Sequence, residues 1–515
     1  MNFLNIIKVS FFTLLSRFLG LFRDILLSRY LGAGSAADAF FVALKIPNLF
    51  RRFFAEGTMQ SAFIPIFNKI FSKDAQQSKA FSSQVFTLYF IALIAFIIFV
   101  EIFAEYLVII IAPGFKSKDL ETFYLTVSLV RITLPYLFFI SLSSFYSSIL
   151  NSLNKFTMVA FLPAFLNITI IGFLLLGEGV ISYAYWASIG VLVGGLSQLL
   201  IVVYGCYHQG WLVGFSSIKR LYLPTKEFFK KIVPVILGAG VYQINILVDI
   251  VVASLLPFGT ISYLFYADRI YQLPIAIIGM AIGTVILPVL SNKANFSQEQ
   301  LNRTKENALI FALGFSIPAT LGLLILSNEI IKILFFGGAF GTEALRATSS
   351  ILLIYALSLP ANILIKVILP IYYSEGDTTT PFYSTLICLA VNLILVIILS
   401  HYFSYLGIAW ATTIASYCNF FILVIILQIK FKIHFSQFFK QELRKIMQAN
   451  VIMLSVLLLV KFTILTNPLI SLGRLRLLII GIILMAMLIL LIMLKYLKSF
   501  IYIEAQLIFK RKKTN

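Results

Sequence analysis

Long apolar segments recur along the whole chain, and short polar stretches separate them. Segments of about 20 apolar residues are long enough to cross a bilayer as α-helices. They are much longer than the segments of about ten alternating residues that form membrane β-barrels. The pattern therefore predicts an all-α polytopic membrane protein with about 14 transmembrane helices. These spans are predicted at residues 4–30, 36–66, 83–111, 123–150, 159–177, 182–206, 230–256, 261–290, 306–327, 347–373, 381–400, 405–429, 447–465 and 475–497.

Composition supports this interpretation, because 60% of the 515 residues are hydrophobic and only 12% are charged. Soluble chains are about a quarter charged. The longest polar stretches, 207–229, 291–305 and 430–446, are too short for a soluble domain. The first span is longer than a cleavable signal peptide and carries arginines, so we expect it to remain as a membrane helix.

The formal net charge of +20 raises the question of nucleic acid, but the distribution of the charge argues against it. Most loop lysines and arginines follow even-numbered spans or lie in the C-terminal tail, where residues 510–513 are all basic. Such a bias marks cytoplasmic segments. We therefore predict that both termini are cytoplasmic, that the tail contacts anionic membrane lipids and that no nucleic acid is bound.

The chain resembles itself at an offset of roughly 225 residues. "ISYAYWA" at 181–187 recurs as "LGIAWAT" at 406–412, and Leu134-Pro135 recurs as Leu359-Pro360. Each copy holds six spans, so the copies share one orientation and are related by a pseudo-two-fold axis along the membrane normal. The predicted organisation is an N-terminal lobe at 1–208, a C-terminal lobe at 209–430, and two further helices with the basic tail at 431–515.

Charged side chains lie inside the first spans of both copies, although an ionised group near the bilayer centre costs roughly 2.5–3.5 kcal/mol. Cations outnumber carboxylates there, which indicates a water-filled cavity with an anionic ligand. Arginine suits phosphate because its planar fork binds two oxygens. The candidate substrate-binding residues are Arg17, Arg23, Asp38, Arg51, Arg52, Glu56, Asp268 and Arg269.

Structural interpretations of the same charges stay open. Arg17 and Asp24 are seven residues apart on one helical face and can form a pair, as can Arg52 and Glu56, four apart. Arg51 and Arg52 also suit snorkelling to the headgroups. Arg17 and Arg23 share a face only if the helix breaks between them, as glycine allows in cavity-lining helices.

Asp249 differs from these groups because it has no basic residue within one helical turn. A lone intramembrane carboxylate takes a proton, holds a cation or pairs with a distant arginine. Asn392 and Thr412 offer further oxygens, so the three residues are a candidate Na⁺ or H⁺ site. No phosphate-binding loop or catalytic constellation is present, and we expect no enzymatic activity and no other cofactor.

Two long motifs closely resemble the signatures of the MurJ (MviN) family. They are "RFLGLFRDILLSRYLGAGSAADAFFVALKIPNLFRRFFAEGTMQSAFIPIF" near the N-terminus and "YADRIYQLPIAIIGMAIGTVILPVLS" in the second copy. The resemblance implies a lipid II flippase of the MOP exporter superfamily, located in the bacterial cytoplasmic membrane. Such proteins carry the undecaprenyl-pyrophosphate-linked peptidoglycan precursor to the outer leaflet by alternating access. We expect this chain to function as a monomer.

The resemblance also implies roles for individual residues. Family cavity arginines fall on Arg17, Arg23, Arg51 and Arg269, and the essential aspartate falls on Asp38. The sodium-site aspartate of some members matches Asp249, and Asn392 fits one further ligand, but Cys388 stands where an amide is expected. A proton or the membrane potential is therefore favoured over Na⁺ as the driving force. The last two spans are expected to form a groove for the lipid tail.

Two rival functions belong to other classes. A multidrug or oligosaccharide-lipid exporter of the same superfamily shares the fold, but a drug exporter favours acidic and aromatic cavity residues over arginines. A membrane glycosyltransferase needs an acidic catalytic residue in a sizeable loop, and the loops of this chain are short.

Overall fold

The structure is a computed structural model, and it describes residues 3–55, 58–219, 222–279, 282–283, 290, 297–431, 436–462 and 472–503. The described residues form helices joined by short turns, and the only extended pairing among them is an isolated bridge between Gly337 and Phe340. The predicted all-α class is therefore confirmed.

The helices follow one another with few intervening residues. They are α1 (Phe3–Leu31), α2 (Ser35–Phe54), α3 (Thr58–Phe71), α4 (Ala75–Ile102), α5 (Ala104–Ile111), α6 (Pro113–Lys118), α7 (Leu120–Thr133), α8 (Tyr136–Ser152), α9 (Phe156–Leu174), α10 (Val180–His208), α11 (Leu223–Leu255), α12 (Thr260–Pro274), a π-helical turn (Ile275–Gly279), α13 (Gln298–Leu334), α14 (Thr342–Ser374), α15 (Thr379–Phe403), α16 (Tyr405–Phe431), α17 (Gln437–Val460) and α18 (Leu472–Tyr496).

Ten helical segments of the described residues have the length and hydropathy of a membrane span. The predicted number of 14 therefore stays a prediction. Several predicted spans consist of more than one helix: residues 36–66 hold α2 and the start of α3, and residues 83–111 hold the end of α4 and then α5. The predicted spans were drawn across these breaks, although charged residues lie beside both of them, Arg52 and Glu56 at the first and Glu101 and Glu105 at the second.

The chain divides into two compact units, Met1–Ser262 with Gly337–Gly341, and Tyr263–Phe336 with Thr342–Asn515. Helix α11 belongs to the first unit, whereas the repeat assigns it to the second copy. The lobes predicted at 1–208 and 209–430 and the segment at 431–515 stay predictions based on the repeat.

An aromatic core explains why α11 packs in the first unit. Phe63 on α3 lies at ring-centroid distances of 5.3 Å from Phe81 on α4 and 5.3 Å from Phe145 on α8. Phe228 on α11 joins the same cluster at 6.3 Å from Phe63. All four side chains are fully buried, and such ring pairs add to the free energy gained by burying their area.

The turn at 337–341 closes the first unit at the end of α1. Its Ala339 amide donates to the Arg29 carbonyl over 2.8 Å. Gly32, with φ +69°, lies so close that a Cβ atom would stand 2.4 Å from the Ala339 carbonyl oxygen. Only glycine fits both this backbone conformation and this contact.

In the second unit α14 is the most buried span, with 72% of its most apolar stretch inside the protein. Its Tyr372 hydroxyl donates to the Leu423 carbonyl on α16 over 2.6 Å. Bonds of this kind satisfy polar groups where no water is available.

Candidate functional site

Helix α1 presents its two internal arginines in different environments. Arg17 is exposed and forms no hydrogen bond or ion pair with another described residue. Arg23 is only 7% exposed and binds Oδ1 of Asp24 through Nη2 at 2.7 Å and Nε at 3.0 Å. The ion pair of Asp24 considered from the sequence, with Arg17, is therefore wrong, because Asp24 forms it with the adjacent Arg23.

A third residue completes this buried group. Asn167 on α9 accepts a hydrogen bond from Nη1 of Arg23 at 2.9 Å, and its own amide donates to the Ser16 carbonyl at 3.0 Å. Three of the five N–H donors of Arg23 are thus bound within the protein. Sequence reasoning missed Asn167, although an asparagine within the apolar stretch "FLPAFLNITIIGF" was a signal.

The helix does not break between the two arginines. Helix α1 is continuous from Phe3 to Leu31, and Gly20 packs against the amide of Asn167. Arg17 and Arg23 therefore lie on different faces, as an unbroken helix requires for residues six apart.

Asp38 on α2 is fully buried and holds the beginning of α12. Its carboxylate accepts hydrogen bonds from the Gly259 amide at 2.7 Å, the Ser262 amide at 2.8 Å and the Ser262 hydroxyl at 2.6 Å. Amides at the start of a helix lack partners within that helix, and a carboxylate there also interacts favourably with the helix dipole. Asp38 thus caps a helix that lies more than 200 residues away in sequence.

Helix α6 holds the end of α11 on the other side of the same turn. The Lys118 ammonium group donates to the Ser254 carbonyl at 2.8 Å and to the Leu256 carbonyl. The Gly114 amide donates to the Ser254 hydroxyl at 3.1 Å. Burial lowers the pKa of Lys118, and the charge of Asp38 opposes this shift.

We call Asp38, Gly114 and Lys118, with their partners on residues 254–262, the clasp. Sequence reasoning selected Asp38 but missed Gly114 and Lys118, because their partners are defined only by the fold. Two helices, α2 and α6, hold the α11–α12 turn in the clasp, mostly through hydrogen bonds. Most of them have a charged partner, Asp38 or Lys118, and such hydrogen bonds contribute about 1.5–3 kcal/mol each after exchange with water.

The other predicted substrate residues are spread over both units. Arg51 and Arg52 lie half-buried in the last turn of α2, and Glu56 lies outside the described residues. In the second unit the Arg269 guanidinium stacks over the Phe265 ring at 4.8 Å, and Asp268 accepts a hydrogen bond from Gln272 at 2.5 Å.

The predicted ion-site residues are also distributed over both units. Asp249 lies on α11 in the first unit, half-buried, whereas Asn392 on α15 and Thr412 on α16 belong to the second. The Thr412 hydroxyl donates to the Ile408 carbonyl at 3.0 Å. No cluster of three His, Cys, Asp or Glu suited to a metal occurs among the described residues. The Na⁺ or H⁺ site stays a prediction.

Comparison with known proteins shows the family to which this chain is similar. The family model described as "Lipid II flippase MurJ" matches residues 27–472. A protein of Rickettsia prowazekii described as a probable lipid II flippase MurJ is 36% identical over 458 residues, covering 88% of this chain and 89% of the relative. The chain belongs to the MurJ family.

Solved structures agree with this assignment. A lipid II flippase MurJ in an inward closed conformation is similar with a TM-score of 0.78 and 32% identity, covering 95% of this chain and 98% of its own. An inward-facing MATE multidrug transporter of the MOP superfamily has a TM-score of 0.60 at 16% identity, covering 81% of this chain and 94% of its own. The second similarity concerns the fold alone. The resemblance found in the two sequence motifs is therefore confirmed.

Proposed function

We propose that this protein moves lipid II from the cytoplasmic to the outer leaflet of the bacterial cytoplasmic membrane. The observation that carries this proposal is the MurJ family match over residues 27–472, which includes most of the charged helices. The protein then acts as a transporter and catalyses no covalent step. Lipid II and the surrounding membrane lipids are its partners, it works as a monomer, and both termini are cytoplasmic.

Arginine side chains on α1, α2 and α12 suit an anionic headgroup. The exposed guanidinium of Arg17 stands on an apolar helix, where a solvated or ligand-bound environment is needed to offset the cost of the charge. Arg269, stacked on Phe265, keeps its fork oriented for a bidentate contact. We assign pyrophosphate binding to these two arginines together with Arg51 and Arg52. Arg23 joins them through its remaining N–H donors.

Alternating access requires contacts that form in one state and break in another. We propose that the clasp is one such set of contacts, because it holds the α11–α12 turn by hydrogen bonds that water can replace. Asp38 then acts on the conformational change and not on the substrate. An ion gradient or the membrane potential drives the cycle, and Asp249, Asn392 and Thr412 are the candidate coupling site.

The test is transport of fluorescent lipid II in vesicles that carry the purified protein. We expect lipid II to become accessible to a membrane-impermeant quencher faster than in protein-free vesicles. Arg17→Ala should abolish the difference, and Arg346→Ala, which removes an exposed arginine at the start of α14, should retain it. Equal rates with and without the wild-type protein would overturn the proposal, and transport of cationic dyes alone would favour a drug exporter.

A further inference from the structure

A pocket of about 590 Å³, lined by amide, hydroxyl and apolar side chains, lies in the first unit, and its lining includes none of the charged residues described above. It is formed by one face of α3, by the end of α8 and by the first residue of α9. Its volume falls within the range of roughly 300–1,000 Å³ that is typical of ligand pockets. The pocket adjoins connections that the lysine distribution predicts to be cytoplasmic.

Local structure positions the four residues whose amide side chains line the pocket. Gln60 and Asn68 are eight residues apart on α3, about two helical turns, and thus share a face. Asn151 lies in the last turn of α8. Asn154 follows with φ +60°, a left-handed conformation that asparagine tolerates well, and the Lys155 amide closes the helix end on the Leu150 carbonyl at 2.8 Å.

These four amide groups are available for a ligand. None of the side chains of Gln60, Asn68, Asn151 and Asn154 forms a hydrogen bond with another described residue. Each offers two N–H donors and a carbonyl acceptor. The rings of Phe71 and Phe156 supply apolar surface at the same pocket.

The lining excludes some ligands and favours others. It contains no Asp, Glu, Lys or Arg, so it is poorly suited to pyrophosphate or to a charged peptide. Its amides are equally unsuited to a polyprenyl chain, because a polar group that loses water without a new partner costs free energy. Sugar hydroxyl and acetamido groups both donate and accept hydrogen bonds, and the C–H faces of sugars pack against aromatic rings.

We propose that this pocket binds the uncharged N-acetylated sugars of the lipid-linked headgroup. The inference rests on the proposed function, since it assigns one part of lipid II to one surface of the protein. The arginines hold the pyrophosphate, and the amides of α3 and α8 recognise the sugars that are covalently linked to it. The pocket thereby distinguishes lipid II from a bare polyprenyl pyrophosphate.

The experiment compares the binding of three lipids to the full-length protein in detergent. They are lipid II, the same lipid-linked disaccharide without its peptide, and undecaprenyl pyrophosphate. We expect the wild type to bind both sugar-bearing lipids more tightly than undecaprenyl pyrophosphate. Asn68→Leu with Asn151→Leu should weaken binding of both sugar-bearing lipids roughly tenfold and leave undecaprenyl pyrophosphate unchanged, because two hydrogen-bonding groups are lost.

Two control variants exclude a general effect of the substitutions. Gln77→Leu removes an exposed amide on α4 outside the pocket and should bind all three lipids as the wild type does. Asn68→Gln keeps the amide and should restore much of the affinity that Asn68→Leu loses.

The outcomes separate this inference from the proposed function. Equal weakening of all three lipids, or no weakening of any, would overturn the sugar pocket while the flippase proposal stands. Weakening confined to the peptide-bearing lipid would overturn the assignment to sugars in favour of the peptide. A wild type that binds none of the three lipids would overturn the proposed function itself.

Discussion

At the scale of single residues, Arg17 and Arg23 show what a sequence does and does not reveal. Both arginines were recognisable as unusual, because charges are rare in apolar spans. The sequence did not reveal that Arg23 is buried and bonded whereas Arg17 is exposed. This difference depends in part on Asn167, which lies on α9, 144 residues from Arg23. Residue type and spacing identify a charge inside a membrane span, but only the fold defines its hydrogen-bond partners.

Arg17→Ala and Arg23→Ala should therefore fail in different ways. Loss of Arg23 removes the 2.7 Å ion pair that Arg23 forms with the buried carboxylate of Asp24, and breaking a buried pair costs about 3–5 kcal/mol. Loss of the exposed Arg17 removes no hydrogen bond or ion pair between described residues. We expect both variants to lose transport, but only Arg23→Ala to lower the midpoint of thermal unfolding in detergent. Equal unfolding midpoints would show that the Arg23–Asp24–Asn167 group contributes little to stability.

At the scale of elements, hydropathy located the helices but not their joints. Spans such as 347–373 and 405–429 coincide closely with α14 and α16. The division between α2 and α3 was missed although Arg51 and Arg52 precede it and Glu56 and Gly57 lie between the two helices, because the predicted span 36–66 was drawn across them. The clasp was equally hidden, since Asp38 and Ser262 are 224 residues apart and no local pattern joins them.

The contact of α6 with α11 gives a sharp prediction at this scale. A Cβ atom on Gly114 would stand 1.9 Å from the Ser254 carbonyl oxygen, so Gly114→Ala should force α6 away from α11. We expect a lower midpoint of thermal unfolding, because the hydrogen bonds that Lys118 donates to Ser254 and Leu256 are weakened. Gly172→Ala, inside α9, is the matched control, because nothing lies within 4 Å of its Cβ position. An unchanged midpoint in Gly114→Ala would mean that α6 and α11 move apart without loss of stability.

At the scale of the whole molecule, the distribution of lysine and arginine predicts orientation. The basic loops and the tail at 510–513 belong on the cytoplasmic side under the positive-inside rule. A reporter fused after Asn515 that functions only in the cytoplasm should therefore be active, and a reporter that functions only outside should be silent. The opposite result would reverse the assignment of every loop.

The driving force is also a property of the whole molecule, and Asp249 is the residue through which we test it. Moving one charge across the membrane is worth about 2.3 kcal/mol per 100 mV, enough to shift a two-state equilibrium by more than tenfold. Asp249→Asn should slow transport and remove its dependence on pH and potential, yet leave lipid II binding nearly intact, because arginines hold the pyrophosphate.

A substitution at Thr412 in the second unit distinguishes Na⁺ from a proton or the membrane potential as the driving force. If a proton or the potential drives transport, Thr412→Ala should leave the rate and its pH dependence unchanged, because neither needs a set of hard oxygen ligands. If Na⁺ drives it, Thr412→Ala should raise the Na⁺ concentration that supports half-maximal transport. Cys388 supplies no such oxygen, which favours the first outcome. Transport by Asp249→Asn that keeps the wild-type response to Na⁺, pH and potential would make Asp249 a structural residue.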